Sequence, residues 1–373
     1  MRLGNVPPPT APHRRIEDIE ILRALAISLV LIQHSLWNLV FDVPWLLDLL
    51  RVVPMWCGVD LFFVVSGFVI TRGLAPALQD HGGLHALPRF WLRRMFRLWP
   101  ASWLWLALIV LGSVVFQHPP FMGAPWLNVR GALAGAFGFA NIRFALNGFA
   151  HQYGPSFPYW SLSLEEQFYL LLPFLVLLAR RHLALVAAVL LLVQFPLAHG
   201  RLYFFARTDG LLWGVLIASS PAVMRLGGLA ARRLAPWPGA GAVVLALSLA
   251  GMSQISPAFE QSPPFRLGLL AAFAALPVWL ASANADLFRA EKLQPALLWL
   301  GSRSYALYLC HVPVFECAAA LSHWWLPLAH LLPEHAELRS TLVGVPLLAA
   351  AAELTYVWVE TPLRRVGARL ASK

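Results

Sequence analysis

Several histidines, carboxylates and arginines stand in stretches that are otherwise apolar, where an ionisable group is costly enough to be a functional suspect. Arg23 and His34 share one such run. On a helix their eleven-residue spacing is three turns plus a small remainder, so both lie on one face about 16 Å apart along the axis. A neutral imidazole can take a proton from a hydroxyl, and a guanidinium can hold an anion. Asp60 lies about as deep in the next apolar run as His34 does in the first. In a tight antiparallel pair the two are level, and a carboxylate beside an imidazole fixes its tautomer and stabilises its protonated form, as a general base requires. Glu165 or Glu166, Asp209 beside Arg207, and His311 three residues after Tyr308 reach a similar depth. Ser163-x-x-Glu166 has capping-box spacing, which spends Glu166 on a helix start and leaves Glu165, about 100° around the axis, for other work. Arg89, Arg93, Arg94 and Arg97 precede Trp99-Pro100. Arg93 and Arg97 are i,i+4 neighbours, and arginine forks suit phosphate, although such a cluster also serves as a membrane-side anchor.

The elements that must position these groups follow from composition. Of 373 residues 59% are hydrophobic and only 12% charged, with a mean hydropathy of +0.66. A water-soluble fold cannot hide that much apolar surface, which excludes a cytosolic enzyme, a disordered tail and a secreted disulfide scaffold. Apolar runs of spanning length recur at 21–40, 54–74, 98–117, 160–179, 183–199, 206–221, 239–256, 266–283, 296–322 and 340–360. The expected fold class is an all-α polytopic membrane protein of about ten transmembrane helices with both termini cytoplasmic. In that threading most of the 28 basic residues fall on the cytoplasmic side, including Arg180 and Arg181. The net charge of +10 is then a matter of topology and calls for no nucleic acid; the bilayer is the partner. The piece 127–146, with Arg130, Arg143 and three glycines, is left uncrossed. It makes 118–158 an outer-face excursion with a re-entrant or interfacial segment, carrying Asn128, Asn141, Asn147, Gln152, Tyr153 and Trp160, amides and aromatics that are also ordinary at an interface. Residues 1–15 read as a disordered cytoplasmic tail, 16–366 as the transmembrane domain and 367–373 as a second cytoplasmic tail. Cys57, Cys310 and Cys317 have packing rather than redox or metal spacing. No glycine-rich phosphate loop, zinc pattern or G-x-S-x-G occurs, so no metal, ATP or NAD is expected.

Seven segments, in order, resemble the integral-membrane acyltransferase family 3. They are Arg23-Ala-Leu-Ala-Ile-Ser-Leu-Val-Leu-Ile-Gln-His34, Gly58-Val-Asp-Leu-Phe-Phe-Val-Val-Ser-Gly-Phe-Val-Ile-Thr71, Arg93-Arg-Met-Phe-Arg-Leu-Trp-Pro100, Trp160-Ser-Leu-Ser-Leu-Glu-Glu-Gln-Phe-Tyr169, Arg207-Thr-Asp-Gly-Leu-Leu-Trp-Gly214, Ser304-Tyr-Ala-Leu-Tyr-Leu-Cys-His311 and Glu360-Thr-Pro-Leu-Arg-Arg365. The resemblance covers about 16–366. It implies an inner-membrane O-acetyltransferase that moves an acyl group, commonly acetyl, from cytoplasmic acyl-CoA as co-substrate to a hydroxyl of a carbohydrate or glycoconjugate. Many members fuse a secreted hydrolase-like domain; none is expected after Lys373, so transfer is direct or uses a periplasmic partner transferase. On this reading His34 is the catalytic base, with Asp60 or Glu165 orienting it. Arg93, Arg94 and Arg97 take the coenzyme A phosphates and Arg23 guides the arm. Trp160, Glu166, Asp209, Tyr308 and His311 are candidates for substrate binding. Two readings compete: a polytopic transporter or flippase, which moves substrate without consuming coenzyme A, and an acyl-relay subunit that stalls without its partner.

Overall fold

The computed structural model describes residues 16–38, 48, 55–80, 83–116, 122–147, 153–196, 207–255, 264–324 and 336–372. The predicted tail 1–15 lies outside the described residues, as do Asn147's side chain and Gln152. Among the described residues all regular structure is helical, as apolar runs without β-alternation require.

Among the described residues five helical stretches are long and apolar enough to cross a membrane: Met55–Leu78, Gly83–Val115, Gly154–Gln194, Ser304–Ser322 and Arg339–Leu370. A sixth forms if Asp209–Ser219 and Pro221–Leu234, which meet at 88°, are one broken span. Helices stand at the remaining predicted spans but do not pass that test of length and composition. They include α1 (Glu17–Asn38), which carries an acidic first turn. The rest of the frame is α2 (Gly58–Asp80), α3 (Ala86–Val115), α4 (Pro125–Ala136), α5 (Ala140–Asn147), α6 (Tyr159–Ala179), α7 (Leu183–Gln194), α8 (Asp209–Ser219), α9 (Pro221–Leu234), α10 (Ala240–Ile255), α11 (Pro264–Ala281), α12 (Gln294–Ser302), α13 (Ser304–Trp324), α14 (Ala336–Leu354) and α15 (Thr361–Leu370). Between α14 and α15 six residues, Thr355–Glu360, wind as a π-helix. The final helix runs through Leu370, past the predicted start of the second tail, and Gly367 seats it against Phe96.

Small residues bring the central helices together. A Cβ on Gly67 of α2 would stand 2.0 Å from the Leu211 carbonyl oxygen of α8, and one on Gly214 would stand 2.3 Å from the Val64 carbonyl oxygen. In lipid, where apolar burial gives helices little reason to associate, such close backbone approach supplies the packing. Gly58 admits Ala26 of α1 to α2, and Gly301 admits Glu20 of α1 to α12. The foot of α1 is tied by Asp18, whose carboxylate accepts from the Leu287 and Phe288 amides at 3.2 and 3.1 Å. Burial raises the Asp18 pKa against those bonds.

The piece 127–146 is not one helix. It is the hairpin α4–α5, turned at Gly138 with φ +69°. Asn128 donates to the Met122 and Ala124 carbonyls at 2.5 and 3.2 Å. Asn141 and Gln167 exchange amide bonds of 2.9 and 3.0 Å, and Ser163 Oγ accepts the Ala140 amide at the start of α5. These bonds dock the hairpin on α6. Two of the three asparagines of the excursion, Asn128 and Asn141, are fully buried and bonded within the hairpin and to α6.

Candidate functional site

A cavity of about 100 Å³, open at its mouth, lies among α1, α2, α3, α6 and α13. Its lining includes Arg23, Arg94 and Arg97, together with Ser66, Glu165 and Tyr169, and Ser161 of α6 and Tyr308 of α13. Each helix contributes by its own period. Ser161, Glu165 and Tyr169 are an i, i+4, i+8 stripe of α6, while Arg94 and Arg97 are i,i+3 on α3. Tyr305 donates to the Leu98 carbonyl at 2.8 Å, tying α13 to α3 at the wall.

The arginines divide differently from expectation. Arg93 is exposed and does not line the cavity; its neighbours Arg94 and Arg97 do. Of the three arginines expected to take the phosphates, Arg94 and Arg97 thus face the cavity and Arg93 faces outward, because the inward face of α3 falls one residue further round. Arg94 is held over the rings of Tyr169 and Phe90 at 5.5 and 5.7 Å. Arg23 donates to Ser304 Oγ at 2.9 Å and to both Glu20 carboxylate oxygens at 3.2 Å, so it enters the cavity already braced.

The carboxylates are placed elsewhere than beside His34. Asp60 is fully buried and ion-paired with Arg207, which clamps α2 to the chain two residues before α8. Glu165 Oε1 accepts from Ser66 and Tyr169 in the cavity wall. Orientation of the imidazole by Asp60 or Glu165 is corrected accordingly: both have partners that build helix contacts. Ser163 is inside α6, which starts at Tyr159, so no capping box forms; Glu166 instead reaches the Gly138 turn. Asp209 begins α8 and accepts the Gly210 amide at 3.0 Å. Trp160 packs between Phe63 and Phe144, each with ring centroids 6.3 Å away.

His34 does not line the cavity; it stands one layer beyond its Tyr308 wall. Tyr308 OH lies 2.6 Å from Ser161 Oγ, and both hydroxyls reach the Pro158 carbonyl at 3.1 Å. Behind it His311 packs at 5.6 Å from the Tyr308 ring, and His311 Nε2 lies 2.9 Å from His34 Nδ1. Arg23 and His34 are thus linked across the molecule by cavity, tyrosine and second histidine. His311, expected to contact substrate, contacts His34. Ser66, Tyr169, Ser161 and Ser304 escaped the sequence reading, although stepping Glu165 back and forward by four residues would have found two of them. Among the described residues no His, Cys, Asp and Glu group could hold a metal ion.

Comparison with known proteins gives the family. The family model described as Acyltransferase domain matches residues 16–332. The peptidoglycan O-acetyltransferase OatA of Listeria monocytogenes serovar 1/2a is 28% identical over 95% of this chain and 57% of its own length. The putative peptidoglycan O-acetyltransferase YrhL of Bacillus subtilis strain 168 is 27% identical over 98% and 57%. The O-acetyltransferase OatA of Staphylococcus aureus strain NCTC 8325 is 25% identical over 95% and 58%. The chain therefore spans a little over half the length of these relatives. No solved structure matches it.

Proposed function

The chain belongs to the Acyltransferase domain family, and from that premise we propose that it is an O-acetyltransferase moving an acetyl group from acetyl-CoA to a hydroxyl of a glycan. Peptidoglycan is the acceptor class to which the relatives' names point. The proposal includes the inner membrane, ten crossings and both termini on the cytoplasmic side. It also leaves a place for a periplasmic partner that receives or delivers the acyl group.

The observation that carries the reading is the make-up of the cavity: three arginines and the Ser161–Tyr308 hydroxyl pair in its lining, with His311 behind Tyr308 and His34 bonded to His311. Coenzyme A is polyanionic, and Arg94 and Arg97 offer planar donors for its phosphates. Arg23, braced by Glu20 and Ser304, stands beside the path of the pantetheine arm. The thioester carbonyl then lies at the Tyr308 layer. The acceptor hydroxyl arrives from the opposite side, where His34 takes its proton. As the new C–O bond forms, the C–S bond breaks, and the thiolate leaves with the proton that His34 returns. A polar site walled by apolar helices strengthens each of these interactions, because water is kept from the charges.

The direct test is purified full chain in proteoliposomes with radiolabelled acetyl-CoA and glycan fragments. Expected is label in a base-labile ester on the acceptor, with release of one coenzyme A per ester. Glycan moved across the membrane with no coenzyme A released would favour a transporter. Coenzyme A released only when a periplasmic partner is added would favour an acyl relay.

A further inference from the structure

We propose that His311 is a positioning residue that fixes which nitrogen of His34 carries the proton. The inference rests on the reading of His34 as the base. It assigns the orienting role to a neutral imidazole on another helix, where a carboxylate was expected.

The assignment follows from what each neighbour can do. His311 sits on α13 and is fully buried. Its Nδ1 lies 2.7 Å from the Tyr308 carbonyl oxygen and 3.2 Å from the Leu307 carbonyl oxygen. A carbonyl oxygen only accepts, so Nδ1 is the protonated nitrogen; a bare lone pair there would face two carbonyls out of reach of water. In the neutral ring the lone pair is then on Nε2. That nitrogen lies 2.9 Å from His34 Nδ1, and the contact is a hydrogen bond only if His34 Nδ1 donates. Neutral His34 therefore keeps its own lone pair on Nε2. The backbone of α13 thus sets the tautomer of a ring on α1 through one intervening imidazole.

The device suits its surroundings. Phe157 meets the His34 ring edge-on at 6.4 Å, and Phe315 meets the His311 ring at 6.1 Å. In that aromatic shell a neutral acceptor orients His34 without adding a buried negative charge. When His34 gains its second proton on Nε2, the Nδ1 proton stays on the bond to His311, which strengthens as the ring becomes cationic. Asp60 and Glu165, engaged by Arg207 and by Ser66 and Tyr169, are left to hold helices together.

The test uses the full chain in nanodiscs with 15N-labelled histidine, the His34 signals being assigned by their loss in His34→Gln. In the wild type His34 is expected as the Nδ1–H form. In His311→Phe the form with the proton on Nε2 should become populated, and kcat should fall at least tenfold, at most to the order of the ten-thousandfold loss known when a hydrolase imidazole is held in the wrong tautomer. The KM for acetyl-CoA should stay within about twofold, because His311 does not line the donor cavity. His311→Gln places an amide oxygen near the position of Nε2 and should recover most of the kcat lost in His311→Phe. His311→Asn, whose amide stops at the level of Nδ1, should not. Unchanged His34 signals together with wild-type kcat in His311→Phe would overturn the assignment, as would equal activity of the Gln and Asn variants. Wild-type activity in His34→Gln would instead overturn the base reading, while the nitrogen signals would still report whether His311 governs the ring.

Discussion

Arg94 and Arg97 differ from Arg93 by one step around a helix, and that step decides what each can bind. The first two line the cavity; the third is exposed. A charge-assisted hydrogen bond contributes about 1.5–3 kcal/mol. Arg94→Ala and Arg97→Ala should accordingly raise the KM for acetyl-CoA on the order of tenfold to a hundredfold with a smaller change in kcat. Arg93→Ala should shift it less than about threefold. Steady-state kinetics in detergent decides the matter, and equal effects at all three positions would return the cluster to a role in topology. At this scale the sequence was a good guide to residue type and a poorer one to direction. Arg23, Glu165 and Tyr308, all singled out in the sequence, line the cavity. The partner of His34 was misassigned, because depth along two helices sets the height of a side chain but not its azimuth. His311 came to the base through a helix far along the chain, and spacing within one segment carries no signal of that.

The elements hold the site through close backbone contact and one buried ion pair. Gly67 and Gly214 let α2 and α8 approach until a Cβ would overlap a carbonyl oxygen. Gly67→Val cannot be absorbed by a side-chain shift, since the obstacle is backbone. It should cost on the order of 1–3 kcal/mol or more, read as a lower Tm in a detergent size-exclusion melt. An unchanged Tm would contradict the packing. Asp60 and Arg207 add a second tie between the same helices. Removing one partner of such a pair leaves a buried charge uncompensated, at a cost of about 3–5 kcal/mol, whereas replacing both with apolar residues is often close to neutral. Asp60→Ala should therefore melt well below wild type, and Asp60→Leu with Arg207→Met should recover most of the loss. A double variant no better than the single would contradict the clamp. The helical nature of these segments was legible from apolar run length alone. The piece 127–146 was legible as apolar but not as the hairpin α4–α5, because a count of basic residues on the two faces says nothing of a turn at Gly138. Its attachment to α6 was not legible either, since the Asn141–Gln167 and Ser163–Ala140 bonds join residues whose side chains look equally suited to meeting a ligand.

At the scale of the whole molecule, transfer from acetyl-CoA to an outer glycan needs two aqueous faces, with Arg94 and Arg97 open to the cytoplasmic one. The Arg180–His182 turn between α6 and α7 and the end of α15 should share that face, and the exposed Trp126 of α4 the other. With Cys57, Cys310 and Cys317 replaced by alanine, a membrane-impermeant maleimide should label Trp126→Cys in intact spheroplasts. His182→Cys and Ser372→Cys should react only after lysis. The reverse pattern would put the donor cavity on the side where coenzyme A is absent. Among the described residues five or six helices meet the length and composition expected of a span, and α8 meets α9 at 88° just past the end of the apolar run.

The most direct test of the central claim is the single-turnover rate of acetyl transfer from radiolabelled acetyl-CoA to a glycan acceptor by wild type and by His34→Ala, in the same proteoliposomes at saturating donor. A general base contributes about 10²- to 10⁴-fold, so the variant should retain donor binding and lose transfer by that factor. Equal rates in the two proteins would contradict the account.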